Sequence, residues 1–175
     1  MERYLFLDID GVLNTDSYYK YLIDHDEYER DDFGTLFDHE AVENLALIIN
    51  NVPELKLVIS STWRFKGWDW MNRLWAKRNL PDQIFSMTPR LEKVLFYTDM
   101  TQQGSYSVFP YGTRGLEISE WLRTNASNNP LMYKYAIIDD DDKDFLLIQE
   151  HHIIKTDPWD GITKEIARRA IEILL

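Results

Sequence analysis

The chain has no cysteine. That absence excludes disulfides, a thiol nucleophile and thiolate metal sites, and it suits a reducing compartment. Histidine is scarce as well: four residues stand in no metal-binding spacing, so zinc is not expected. The adjacent His151 and His152 would point to opposite faces of a strand, and they read as structural or surface groups. No apolar run approaches the roughly 18 residues of a membrane span. The first residues lack a basic region, an apolar segment and a small-residue cleavage site, so no secretory signal is read. A cytoplasmic location with no membrane partner is the expectation. Positive charge is also short. Nineteen Lys and Arg face 30 Asp and Glu, a net charge of −11. This balance opposes nonspecific nucleic-acid binding by the chain as a whole. Internal repeats and low-complexity linkers are missing too, so residues 1–175 read as one domain.

What is present suits a folded globule. At 175 residues, 45% hydrophobic and 14% aromatic, the chain can bury a sizeable core. Its acid is unevenly spread, concentrated in residues 16–43 and 139–144. Residues 64–93 are locally basic, with Arg64, Lys66, Arg73, Lys77, Arg78, Arg90 and Lys93 against Asp69, Asp82 and Glu92. An anionic substrate is expected to meet that face.

Near the start, Tyr4, Leu5, Phe6 and Leu7 run into Asp8, with Asp10 and Gly11 close behind. Residues 3–9 read as a buried strand at the centre of a parallel sheet. Residues 15–37 show no clean periodicity. They read as a flap or loop over the strand tip, with a solvated acidic loop as the competing reading. Asp38 reads as a helix N-cap, with Phe37 and Val42 as a hydrophobic staple. Ala41, Val42, Leu45, Ile48 and Ile49 follow at helical spacing, and the helix should stop before Pro53. Residues 55–59 form a second strand ending in Ser60, Ser61, Thr62, Trp63 and Arg64.

A helix over 68–79 puts Trp68, Met71 and Trp75 on one face, where the tryptophans read as packing. Residues 83–86 suggest a short third strand. Residues 87–113 suggest a long loop or small β excursion. A helix from Gly115 turns Leu116, Ile118, Trp121 and Leu122 inward. Residues 133–138 make another strand, ending in Asp139, Asp140, Asp141 and Asp142. A short helix around Phe145, Leu146 and Ile148 leads to a last strand at 152–155. A terminal helix from Thr163 carries Ile166, Ala170 and Ile173, with Ala167, Ile171 and Leu174 beside them. The alternation predicts an α/β fold, with a five-stranded parallel sheet and helices on both faces.

Three of these strands end in polar groups. In a doubly wound sheet, ligands bind beyond the carboxyl ends of the strands at the switch point. Asp8 and Asp10, then residues 60–64, then residues 139–142 converge there. Hard oxygen ligands favour Mg²⁺, which takes one or two carboxylates plus a substrate phosphate.

LFLDIDGVLN, LVISSTWR and AIIDDDDKD, in that order, resemble the haloacid dehalogenase (HAD) superfamily of Mg²⁺-dependent phosphohydrolases. SSTWR, TRGLEISEWL and KTDPWDGIT resemble more particularly the small HAD domains grouped with Swiss army knife RNA-repair proteins. The resemblance implies a Rossmann-like HAD fold with little or no cap domain. It implies Asp8 as the nucleophile that forms an aspartyl-phosphate. Asp10 would be the general acid and base, with its carbonyl on the metal. Ser60 would be the phosphate-binding hydroxyl, with Ser61 and Thr62 beside it. Arg114 would be the neutralising cation, with Lys93 and Arg64 as rivals. Asp140 or its neighbour Asp139 would complete the metal site with Asp8. Asp142 and Asp144 read instead as a solvated turn and helix start. Arg64 has two readings, a substrate phosphate contact and a salt bridge to the acidic tips.

Chemistry agrees with these roles. A carboxylate is repelled by an anionic phosphate until a metal and a cation remove the repulsion. A second carboxyl then moves the proton. Members that attack carbon need no second acid, so Asp10 favours phosphoryl transfer. The expected activity is a Mg²⁺-dependent phosphomonoester hydrolase. With little cap, its substrate would be large, such as an RNA or DNA end or a phosphoprotein. The tryptophan-rich segment from Trp63 to Arg78 would serve to stack bases and hold phosphates. A 5′-nucleotidase and a catalytically idle binding module are the alternatives. Oligomeric state is not readable.

Overall fold

The computed structural model describes residues 1–27, 30–91 and 114–175, together with the backbone of 94–98 and 105–109. In chain order the elements begin with β1 (Glu2–Leu7), α1 (Asp16–Asp24), β2 (Arg30–Asp31) and β3 (Gly34–Thr35). Then come α2 (His39–Asn51), β4 (Leu55–Ile59), α3 (Trp68–Lys77) and β5 (Ile84–Met87). A hairpin of β6 (Val94–Thr98) and β7 (Ser105–Phe109) precedes α4 (Arg114–Asn125). The chain closes with β8 (Tyr133–Asp139), β9 (Ile153–Lys155) and α5 (Lys164–Leu174).

Five strands form one parallel sheet in the order β5-β4-β1-β8-β9. The chain leaves β1 toward β4 and β5, then crosses back to β8 on the other side. The switch point therefore lies between β1 and β8, where such sheets bind ligands. Side chains alternate across the sheet as the pleat requires. Leu5, Leu7, Leu57, Ile59, Ala136 and Ile138 pack on the face covered by α2, α3 and α5. Tyr4, Phe6, Val58, Tyr135 and Ile137 pack on the face covered by α4. There Trp121 meets Tyr4 and Phe6 edge to face at 5.0 and 5.3 Å, and its indole donates to Ser86 Oγ at 2.9 Å. Both core clusters among the described residues lie against the sheet, so neither belongs to a cap. None of the described helices is long and apolar enough to cross a membrane.

Most boundaries match the sequence reading; the exceptions have physical causes. Residues 16–24 are helical where a flap or loop is expected. Thr15 caps this helix by accepting from Tyr18 N. Leu22 is its buried residue, so the apolar repeat that announces a helix is missing. On α3, Met71, Leu74 and Trp75 face inward, while Trp68 is 44% exposed. The helix expected around residue 146 is a 3₁₀ helix, Leu147–His152. Of the stretch 87–113, the hairpin fits the expected β excursion; residues 92–93, 99–104 and 110–113 lie outside the described residues.

Two features seat α4 against the sheet end. A 3₁₀ helix, Thr62–Lys66, follows β4 and turns Arg64 inward, where it is 5% exposed. Its guanidinium donates to Thr88 O at 3.1 Å and Ser61 O at 2.8 Å, and it ion-pairs with buried Glu117 of α4. On the other side, Gly115 N donates to Asp144 O at 2.9 Å. A Cβ on Gly115 would lie 2.7 Å from Leu146 N and 2.8 Å from Phe145 Cα, both backbone atoms. The helix approaches that close only because residue 115 is glycine.

Glu117→Ala would leave the Arg64 charge buried without its partner, at a cost of about 3–5 kcal/mol. Urea unfolding should show that loss, and an unchanged midpoint would contradict it. Gly115→Ala should push α4 outward and cost about 1–3 kcal/mol by overpacking. The same titration checks it.

Candidate active site

The site is built where the chain leaves β1. The ladder continues one residue beyond the strand, with Asp8 N donating to Ile138 O at 3.0 Å. The chain then folds back at once. The Ile9 carbonyl accepts from Val12, Leu13 and Asn14 at 3.2, 2.9 and 3.0 Å. Gly11 takes φ +66° in this turn, and a Cβ there would lie 2.7 Å from Asp140 Cβ, Cγ and Oδ2. Glycine alone meets both demands, the left-handed backbone and the room for Asp140.

The segment after β9 locks this turn from outside. Thr156 N donates to Asp139 O at 2.9 Å and its hydroxyl donates to Gly11 O at 2.8 Å. Ile162 N donates to Val12 O at 3.0 Å. The tips of β1 and β8 are therefore bound to each other and to the loop behind them.

Two carboxylates face each other there. Asp8 is 5% exposed and Asp139 is 1% exposed. Arg114, the first residue of α4, reaches both: its Nη1 lies 2.8 Å from Asp8 Oδ2 and also pairs with Asp139 Oδ2. Burial opposes the charge on Arg114, but Asp8 and then Asp139 more than offset it, so its pKa is raised. Burial, and next the nearby Asp8, push the Asp139 carboxyl up to about 7, against the pull of Arg114. Asp140 is raised too, first by burial and then by Asp8. One oxygen from each of Asp8, Asp139 and Asp140 lies within 4.8 Å of the others. Three carboxylates crowded around one guanidinium are a donor set for a hard divalent cation. The room that Gly11 leaves for Asp140 admits the third of them.

Asp10 is exposed and its carboxylate is not in that group. Trp63 Nε1 donates to its Oδ2 at 2.8 Å, and Asn14 Nδ2 donates to its Oδ1 at 3.1 Å. Ser60 is buried at the tip of β4, and its Oγ has no hydrogen-bond partner among the described residues. Ser61, also buried, caps the 3₁₀ helix by accepting from Trp63 N at 3.3 Å. Thr62 is exposed at the mouth of a cavity. Arg64 does form a salt bridge, but with Glu117 and not with the acidic tips. Lys93 lies outside the described residues. Of the remaining acids, Asp141 accepts from Lys143 N at 2.9 Å and Asp142 pairs with Lys155 at the surface.

Sequence reasoning missed Trp63, Asn14, Glu117 and Thr156 as supports of the site. Glu117 carried a faint signal, an acid between apolar neighbours on the inward face of α4. Trp63 reads from the sequence as a base-stacking residue, but its bond to Asp10 is not legible there, because its indole reaches a residue 53 positions away.

A family model described as the HAD domain in Swiss Army Knife RNA repair proteins matches residues 4–167. Among solved structures, the HAD domain of the effector protein Lem4 from Legionella pneumophila is similar, with a TM-score of 0.55. The two are 14% identical, and the match covers 98% of this chain and 95% of that one. At that identity the likeness speaks for the fold. No curated protein matches in sequence. With the fold, the switch-point site and a family match spanning nearly its whole length, the chain belongs to the family of HAD domains found in Swiss Army Knife RNA repair proteins.

Proposed function

We propose that this domain is a Mg²⁺-dependent phosphomonoester hydrolase acting on the phosphorylated end of a polynucleotide. One observation carries the reading: Arg114 bridges two buried carboxylates at the switch point, while a third, exposed acid, Asp10, stands two residues beyond Asp8.

In this reading Asp8 attacks phosphorus. A bond forms between its carboxylate oxygen and phosphorus as the ester P–O bond breaks. Asp10 gives its proton to the leaving oxygen. Water then attacks the aspartyl-phosphate and gives a proton to Asp10, releasing phosphate and restoring Asp8. Arg114 offsets the charge of Asp8, so that an anionic phosphoryl group can approach. The Ser60 hydroxyl, which lacks a partner among the described residues, is the donor proposed for a phosphoryl oxygen. Asp8, Asp139, Asp140 and the Asp10 carbonyl would hold the metal. When bound, Mg²⁺ withdraws charge from the phosphoryl oxygens.

An aryl phosphate assay with and without Mg²⁺ tests the chemistry. Turnover should need Mg²⁺ and vanish in Asp8→Asn, and inactivity on every phosphomonoester would overturn the reading. Arg114→Ala should lower kcat by about 10²–10³-fold, the usual loss of a charge-stabilising donor. Near-normal turnover in that variant would return the role to Lys93. Oligonucleotides with a 3′- or 5′-phosphate should be better substrates than free mononucleotides; the reverse order would make the domain a nucleotidase. Independently of activity, Mg²⁺ should raise the melting temperature of the wild type, by mass action on the folded state. Asp140→Asn should shrink that rise, and an equal rise in both would place the metal elsewhere.

A further inference from the structure

Beside Asp10 lies a cavity of about 430 Å³ lined by Asp32, Phe33, Thr62, Trp63, Lys66 and Trp70. That volume is within the range of small-molecule sites. Its walls are aromatic and braced. Trp70 meets Phe33 edge to face at 5.1 Å and Trp63 at 6.0 Å. Trp63 leans in turn on Phe37 at 5.7 Å. The turn between β2 and β3, which carries Asp32 and Phe33, is pinned to the end of α3. Arg78 Nε donates to Asp31 Oδ2 at 3.0 Å and its Nη2 to Asp31 Oδ1 at 2.9 Å. Asp31 also accepts from Phe33 N at 2.8 Å, which holds the backbone of the turn that carries the phenyl ring.

The position of this cavity relative to the chemistry is set by one side chain. Trp63 walls it and also donates its indole N–H to Asp10 Oδ2 at 2.8 Å. Asp10 is the acid that must touch the leaving oxygen. The wall that Trp63 forms is thus within one hydrogen bond of Asp10, within reach of a group attached to that oxygen. A planar group suits aromatic walls, since every base has a face that can stack on such side chains. The rim supplies the remaining chemistry. Trp63 and Lys66 are three apart on a 3₁₀ helix, so their side chains lie one above the other. Exposed Lys66 is placed for a neighbouring phosphate, and exposed Asp32 for an amino or hydroxyl donor.

We propose that this cavity holds the nucleoside that bears the scissile phosphate, with its base against Trp63 and Trp70 and the next backbone phosphate near Lys66. The proposal rests on the phosphatase reading for the role of Asp10, and it adds the substrate's recognition element to it.

The test compares kcat/KM for a 3′-phosphorylated oligonucleotide, a nucleoside monophosphate and ethyl phosphate in wild type, Trp70→Ala and Lys66→Glu. Trp70→Ala should lower both base-bearing substrates about tenfold more than ethyl phosphate. Lys66→Glu, a surface change safe for folding, should lower the oligonucleotide more than the mononucleotide. Equal losses on all three substrates in both variants would overturn the proposal. Fluorescence titration of Asp8→Asn with a phosphorylated dinucleotide separates the two readings. Binding that weakens on adding Trp70→Ala supports the cavity even if the wild type hydrolyses nothing. Binding indifferent to Trp70 overturns it even if the enzyme is active.

Discussion

The contact of Arg114 with Asp8 and Asp139 is the constraint around which the rest of the molecule is arranged. Two carboxylates at neighbouring strand tips, both nearly sealed from water, repel each other, and burial raises the pKa of Asp139. One guanidinium placed between them opposes the repulsion and pulls that pKa back down. It can be placed only if the first turn of α4 is held at the sheet end. Three supports hold it: the close approach of Gly115 to residues 144–146, the Gln149 amide on Gly115 O at 2.9 Å, and the buried pair of Glu117 with Arg64. Packing of Trp121 against Tyr4 and Phe6 then fixes the rest of the helix. The charges that would perform chemistry thus depend on contacts made a turn or more away.

The same arrangement accounts for the fate of the basic stretch 64–93. Arg64 is committed to Glu117 and Arg78 to Asp31, so two of its cations brace the fold. Lys66, Arg73, Lys77 and Arg90 remain at the surface. In a chain with a net charge of −11, one of these, Lys66, lines the aromatic cavity together with Asp32.

Much of the fold is legible in the sequence, because its central strands are continuous apolar runs and two of its helices start at clear caps. Asp38 and Thr163 stand where expected and cap α2 and α5. The strand tips were legible for the same reason: a carboxylate ending a buried run is costly and so informative. What stayed hidden depends on contacts between distant residues. Helix α1 has Leu22 as its buried residue, too little to make a pattern. Arg64 sits in a polar-looking motif, yet Thr88 and Glu117, both distant in sequence, help to turn it inward. Asp139 and Asp140 could not be ranked from four consecutive aspartates. In space both join Asp8, one buried on Arg114 and the other beside Gly11.

In the proposed mechanism Asp8 attacks phosphorus while Arg114 offsets its charge, and trapping the aspartyl-phosphate tests that step. Wild-type protein is acid-quenched during turnover of an aryl phosphate with Mg²⁺, reduced with borohydride and mapped by peptide mass spectrometry. An acyl-phosphate at position 8 would be converted to homoserine there, with Asp10, Asp139 and Asp140 unchanged. Homoserine at another position, or at none while turnover proceeds, would contradict nucleophilic attack by Asp8.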